Sequence, residues 1–129
     1  MRLLATFVLL FATASLALAE DTPAAAKTRK VLMTKVKEIN WKDTMLDDAR
    51  QELQEEVKGL FIILDTKGGI SKNRKISLKA KDKTVEEILN TMCDTLGGVG
   101  YIVVSQKGNA RDGNIMIRLG KERGTEVKK

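Results

Sequence analysis

Two stretches of the chain repeat one pattern, and this repeat decides the fold. Residues 37–60 read KEINWKDTMLDDARQELQEEVKGL, and residues 76–99 read ISLKAKDKTVEEILNTMCDTLGGV; the two align without a gap. The shared positions are Ile39 with Leu78, Lys42-Asp43 with Lys81-Asp82, Leu46 with Val85, Asp47-Asp48 with Glu86-Glu87, Leu53 with Met92, and Val57 with Leu96. Internal similarity of this kind indicates two copies of one structural unit.

Each copy changes from strand spacing to helical spacing. Ile76, Leu78 and Ala80 alternate with polar residues, as in a half-buried strand. Apolar residues then recur at helical spacing in both copies and give each helix one apolar face. Each helix is expected to start at a pair with the spacing of a capping box, Thr44 with Asp47 and Thr84 with Glu87. The helices are expected to end at glycines, at Gly59 and at Gly97-Gly98.

A short apolar strand is expected after each helix, at residues 61–64 and 101–104. Residues 114–119 alternate again after an Asp112-Gly113 turn, so we expect them to pair with residues 101–105 as a hairpin. The resulting order, β-α-β-β-α-β-β, predicts an α+β fold. It is a tandem β-α-β repeat with two helices packed on small mixed sheets.

The first residues have the features of a secretory signal peptide. Arg2 precedes an apolar run over residues 3–14, and the small residues Ala17 and Ala19 close the segment. This order predicts a signal peptide over residues 1–19, although the run could also serve as an uncleaved membrane anchor. Glu20 stands where a lipoprotein has its lipid-modified cysteine. We therefore expect a periplasmic or otherwise exported protein that is not a lipoprotein.

The rest of the chain, about 110 residues, suits one compact domain. Residues 20–30 contain the only proline and offer no apolar face, which predicts a flexible leader. Residues 31–120 form the predicted domain, and residues 121–129 a charged flexible tail. Cys93 is the only cysteine, so no intramolecular disulfide can form.

The repeated phrases WKDTMLDDA and AKDKTVEEI, with the loop FIILDTKGG and the closing strand GNIMIR, resemble the secretin/TonB short N-terminal (STN) domain. The likeness covers about residues 35–119. In that family the domain lies at the N-terminus of outer-membrane secretins and of signal-transducing TonB-dependent receptors. Related domains lie at the C-terminus of envelope anti-sigma regulators. The resemblance implies a free-standing version of a periplasmic protein-binding domain, with no catalytic residues.

The residue types present argue against an enzyme. The chain has no histidine, the usual general base near neutral pH and the commonest transition-metal ligand. A single cysteine offers no thiolate pair for zinc. Acidic pairs such as Asp47-Asp48 and Glu86-Glu87 belong to first helical turns, where they complement the helix dipole. We therefore expect no catalytic residues, no metal site and no cofactor.

Residues 67–83 are strongly basic and supply the candidate site: Lys72, Arg74, Lys75, Lys79 and Lys81, against the single acid Asp82. Because Ile76 and Leu78 face inward, the three lysines of the strand must face outward. Two interpretations stay open: the lysines keep an exposed strand edge from pairing with other chains, or they bind a partner.

The leading hypothesis is a non-enzymatic protein-protein interaction module that binds an envelope protein by sheet-edge pairing, helped by the basic strand. The alternative is a basic binder of anionic polymer or lipid headgroups, which the formal net charge of +6 would favour. We expect no nucleic-acid partner. Ionic strength separates the two hypotheses, because polyanion binding falls steeply with salt.

Export should remove residues 1–19, because the apolar run ends in the small residues that signal peptidase requires. The intact mass of protein secreted by a diderm host should correspond to a chain that begins at Glu20. A membrane-bound species that still begins at Met1 would show that the segment is an anchor instead.

Overall fold

The structure, a computed structural model, describes residues 21–125. The predicted signal peptide lies outside this part, so its cleavage stays a prediction. The elements in order are α1 (Pro23–Val31), β1 (Lys35–Met45), α2 (Leu46–Glu56), β2 (Ile62–Leu64), β3 (Lys75–Thr84), α3 (Val85–Leu96), β4 (Val99–Val103), β5 (Ile115–Leu119) and β6 (Arg123–Gly124). The α+β class and the predicted order from β1 to β5 are confirmed, with one additional helix, α1, before these elements and one additional short strand, β6, after them.

β1 and β3 form an antiparallel two-stranded ribbon in which the two copies meet. Asn40 pairs with Lys79, and these two residues are also equivalent in the repeat alignment. A residue that pairs with its own equivalent lies on the axis that relates two copies. A local twofold axis therefore passes through the middle of the ribbon.

Backbone hydrogen bonds between the copies follow the same symmetry. At the start of α2, the amide of Leu46 donates to the carbonyl of Arg74 at 2.8 Å. At the start of α3, the equivalent amide of Val85 donates to the carbonyl of Thr34 at 3.0 Å. The next amide in each helix donates in the same way, to Lys72 and Leu32 respectively. Each repeat thus satisfies the first free amides of the other repeat's helix.

The Lys-Asp pair in each copy marks a sharp change of backbone direction. Asp43 has a φ of 47° and Asp82 a φ of 55°, and they are the only described non-glycine residues with positive φ. Aspartate tolerates this left-handed conformation better than most residues because its short side chain can bond locally. The repeated aspartate therefore has a conformational role near the end of each long strand.

The helix starts agree with the predicted caps in one copy only. Thr84 caps α3 in a full capping box with Glu87, as predicted. The predicted box of Thr44 and Asp47 is wrong, because the N-cap of α2 is Met45 and has no side-chain cap. Met45 is the repeat equivalent of Thr84, and the Asp47 carboxylate instead holds Arg50 at 2.8 Å.

Each repeat helix joins the ribbon to a second, mixed sheet of order β2-β5-β4-β6. α2 contacts β1 and β2, while α3 contacts β3 and β4. The predicted hairpin is confirmed, since β5 pairs antiparallel with β4 and places Tyr101 opposite Ile117. Leu53 and Met92, equivalent in the repeat, are both fully buried in the core between these layers.

The prediction of a flexible leader over residues 20–30 is wrong for the part that the structure describes. Thr22 caps α1 through the amide of Ala25, whose side chain is completely buried. The hydroxyl of Thr28 donates to the carbonyl of Gly113 at 2.5 Å. A Cβ added at Gly113 would lie 2.7 Å from the Cβ of Ala24. Small alanines let this helix pack closely against the β4–β5 connection, which a search for large apolar residues does not detect.

The predicted flexible tail also begins as ordered structure. Arg123 and Gly124 form β6, which pairs parallel with β4. The guanidinium of Arg123 contacts the carboxylate of Asp94 at 2.8 Å and donates to the carbonyl of Val99. The ordered unit therefore extends on both sides of the predicted domain, residues 31–120.

Leu53→Ala and Met92→Ala should each lower the free energy of unfolding by about 2 to 5 kcal/mol, because each leaves a cavity in the same core. Chemical denaturation measures this loss. Glu52→Ala and Thr91→Ala, equivalent exposed neighbours on the same helices, serve as matched controls and should change stability by less than about 0.5 kcal/mol. Near-neutral substitutions at both core positions would contradict the equivalence of the two helices.

Candidate partner-binding surface

The structure places Lys75, Lys79 and Lys81 on the outward side of β3, where they alternate with buried Ile76 and Leu78. All three lysines are exposed, and none makes an ion pair among the described residues. The predicted orientation of these side chains is therefore correct. Their charges face solvent without a compensating carboxylate in direct contact.

β1 adds a lysine from outside the basic stretch of residues 67–83. Lys42 is exposed and lines a shallow depression of about 610 Å³ together with Asn40, Ser77 and Lys79. Its repeat equivalent is Lys81, so the alignment of the two copies could have identified it. We call the surface formed by Lys42, Lys75, Lys79 and Lys81 the basic face.

The charge of the basic face is not uniform. Lys81 pairs across the ribbon with Glu38, so an acid is its direct neighbour on β1. Lys79 pairs with the neutral Asn40, and Lys75 with Met45, whose side chain is 39% exposed. The least compensated positive charge therefore lies over Lys42, Lys75 and Lys79.

Lys72 and Arg74, the other two candidates, lie apart from this face in the turn before β3. The guanidinium of Arg74 donates to the carbonyl of Leu96 at the end of α3. It therefore joins this turn to the helix end, where a cation also complements the helix dipole. Lys72 lines a different depression, beside Asp47 and Arg50. The structure thus brings together three of the five candidates and gives Arg74 a contact within the fold.

The ribbon has open edges. β1 and β3 pair only with each other, so among the described strands each has one edge without a partner. Backbone N–H and C=O groups along such an edge can pair with an extended segment of another chain. The basic face therefore borders strand edges that remain available for pairing.

The side chains of Trp41, Tyr101 and Cys93 belong to the core. Trp41 and Tyr101 are 2% and 1% exposed, so both are core residues, as expected from the sequence. Cys93 is 1% exposed, and burial raises the pKa of its thiol to about 11. A thiol that stays protonated at neutral pH is a poor nucleophile.

One acidic residue at the start of each repeat helix has a partner in or next to its own helix. Glu87 accepts hydrogen bonds from the backbone amide of Thr84 at 3.0 Å and from its hydroxyl at 3.2 Å. The hydrogen bond from the Thr84 backbone amide is the main reason that the pKa of the Glu87 carboxyl lies below its usual range, and the hydrogen bond from the Thr84 hydroxyl also contributes. Asp47 is engaged by Arg50, as described above.

Residues 21–125 contain no group of three or more His, Cys, Asp or Glu side chains arranged to hold a metal ion. In the same range, no helix has both the length and the apolar composition needed to cross a membrane.

Comparison with known proteins finds no relative: no protein-family model, no curated protein and no solved structure matches the chain. The resemblance to the STN domain therefore stays a prediction from the repeated phrases.

The buried Cys93 should make stability fall with pH under alkaline conditions. An unfolded thiol ionises near its ordinary pKa of 9.0, whereas the folded thiol keeps its proton up to about 11. The unfolded state then binds fewer protons, so the free energy of unfolding decreases as pH rises through this window. Denaturation of wild type and Cys93→Ala at several pH values checks this. The variant should lose less stability across the window, and parallel pH profiles would contradict the assignment.

Proposed function

We propose that this protein is a non-enzymatic interaction module of the bacterial envelope that acts after export to the periplasm. The observation that carries the proposal is the ribbon, which combines an open strand edge with a row of exposed lysines. Sheet-edge pairing supplies backbone hydrogen bonds that do not depend on the partner's side chains, and the lysines supply a preference for acidic partners. The resemblance to the STN domain supports the same class of function.

The chemistry of the described residues supports a binding role. The one cysteine is buried and protonated, Glu87 is engaged in a helix cap, and Asp47 is engaged in an ion pair. Catalysis by general acids and bases requires titratable groups that reach a substrate. Most of the exposed charged groups of the ribbon are lysines, which suit recognition through charge.

A second candidate is the binding of anionic polymer or lipid headgroups. Lys42 favours it, because this lysine extends the positive surface from β3 onto β1. The basic face would then be the whole site, and no strand pairing would be needed. Binding to phosphate groups by several lysines weakens strongly as salt rises, whereas strand pairing retains its backbone hydrogen bonds.

Changing Lys42, Lys75 and Lys79 to glutamate should abolish capture of the partner while the domain stays folded. Lys81 is left unchanged, because a glutamate there would face Glu38 across the ribbon and add a repulsion unrelated to binding. Immobilised protein, envelope extracts of a diderm host and quantitative mass spectrometry measure capture.

The matched control changes Lys27, Lys58 and Lys107, exposed lysines on other parts of the domain, to glutamate and alters the net charge equally. Each exposed substitution should change stability by less than about 0.5 kcal/mol. The control should retain capture. Equal capture by both variants would assign the lysines to edge protection. Binding to vesicles of anionic lipid that disappears at high salt would favour the second candidate.

A further inference from the structure

A groove lies between β3 and α3. It encloses about 280 Å³ and is lined by Lys79, Ala80 and Lys83 of β3 and by Glu87, Ile88 and Asn90 of α3. No residue of β1 lines it, so it lies on the side of β3 that faces away from its strand partner. The open edge of β3 and the side of a helix thus form its two walls.

An unsatisfied polar atom accompanies this groove. The side-chain oxygen of Asn90 is buried and has no hydrogen-bond partner in the described part of the chain. A buried acceptor without a donor is destabilising, because the hydrogen bonds it would make to water are not replaced. The accessible surface of this oxygen is below 1 Å², so a donor from a bound chain recovers this loss once the Asn90 amide turns toward the groove.

Charge in the groove favours an acidic occupant. Lys79 and Lys83 stand on the strand side, and neither makes an ion pair among residues 21–125. Glu87 is the one acid of the lining, but its carboxylate already accepts two hydrogen bonds from Thr84 in the helix cap. Lys83 is close enough to Glu87 for a favourable electrostatic interaction, whereas the Lys79 ammonium group keeps full capacity for a carboxylate from outside.

The repeat explains why a groove can open on this strand. Ala80 is half-buried, whereas its equivalent in the first copy is Trp41, which is 2% exposed. A methyl group at this position leaves space that an indole would occupy. A groove of this volume falls just below the usual size of small-molecule pockets and suits the side chain of a docked peptide.

We infer that the groove receives an extended acidic segment of the partner protein, which adds to the open edge of β3 and donates a hydrogen bond to Asn90. This inference rests on the proposed function and assigns the binding edge to β3 rather than to β1 or β2. Backbone pairing gives the contact its strength, while Lys79, Lys83 and Asn90 select the sequence.

The test uses the exported chain as bait for a displayed library of random peptides of about ten residues, the upper length of an ordinary strand. Selected peptides should be rich in aspartate and glutamate. Their binding should perturb the backbone amide signals of β3 and α3 in nuclear magnetic resonance spectra. Perturbation confined to β1 or β2, or selection of peptides without acids, overturns the assignment, and so does self-association of the chain through this edge.

Two variants separate the groove from the basic face. Ala80→Trp fills the groove with the residue that the first copy carries, and Asn90→Leu replaces the unsatisfied acceptor by an apolar group of similar size. Each should lower the affinity for the selected peptides by about tenfold or more, as expected for loss of one buried hydrogen bond or of the docked side chain. Asn90→Leu keeps the test valid if the larger tryptophan impairs folding.

Thr95→Ala changes an exposed residue of α3 outside the groove and should bind the peptides normally. Unchanged peptide affinity in a folded Asn90→Leu variant overturns the inference. The proposed function is tested by the glutamate variant of Lys42, Lys75 and Lys79, which shares only Lys79 with the groove. If that variant loses the envelope partner while Asn90→Leu keeps it, the module binds through its basic face and the groove is not the site.

Discussion

The fold depends on hydrogen bonds that the two repeats exchange at the starts of their helices. The first amides of any helix have no partner within the helix, and leaving them unsatisfied in a buried position is costly. Here the amides of Leu46 and Val85 reach carbonyls that precede the other copy's strand, at Arg74 and Thr34. Neither repeat can complete its helix alone. The exchange fixes the distance between the copies and so allows the ribbon to pair about its local twofold axis.

Much of this arrangement could be predicted from residue spacing, because each copy buries a large apolar face. The change from alternation to helical spacing identified both repeat helices, and equivalence predicted Leu53 and Met92 as core residues. The two ordered ends escaped the same reasoning. Helix α1 is held by the small Ala25 and by the hydroxyl of Thr28. Strand β6 is held by Arg123, whose guanidinium donates to the carbonyl of Val99. Such contacts depend on what the distant partner offers, which local spacing does not reveal.

The candidate surface also has one part that local spacing predicts and one part that tertiary contacts decide. Outward lysines could be predicted because strand alternation is a local rule, and the buried Ile76 and Leu78 settle it. The role of Arg74 could not be predicted, since its guanidinium meets the carbonyl of Leu96 only after the repeats have packed. Composition alone grouped Arg74 with the lysines. Side-chain charge therefore identified the surface, while the tertiary contact decided which charges are free to act there.

The two copies are free to differ at positions that do not take part in the pairing at the twofold axis or in the exchanged hydrogen bonds. At the axis, Asn40 and Lys79 must fit each other, and the helix starts must keep their exchanged backbone bonds. The outer edges carry no such requirement, because nothing in the described chain pairs with them. One residue from the axis pair, the first copy has the buried Trp41, whereas the second has the smaller Ala80, which lines a groove on the outer side of β3. A repeat that needs both copies for stability can therefore change one outer edge without losing the fold, which makes the β3 edge the position where recognition can develop at low structural cost.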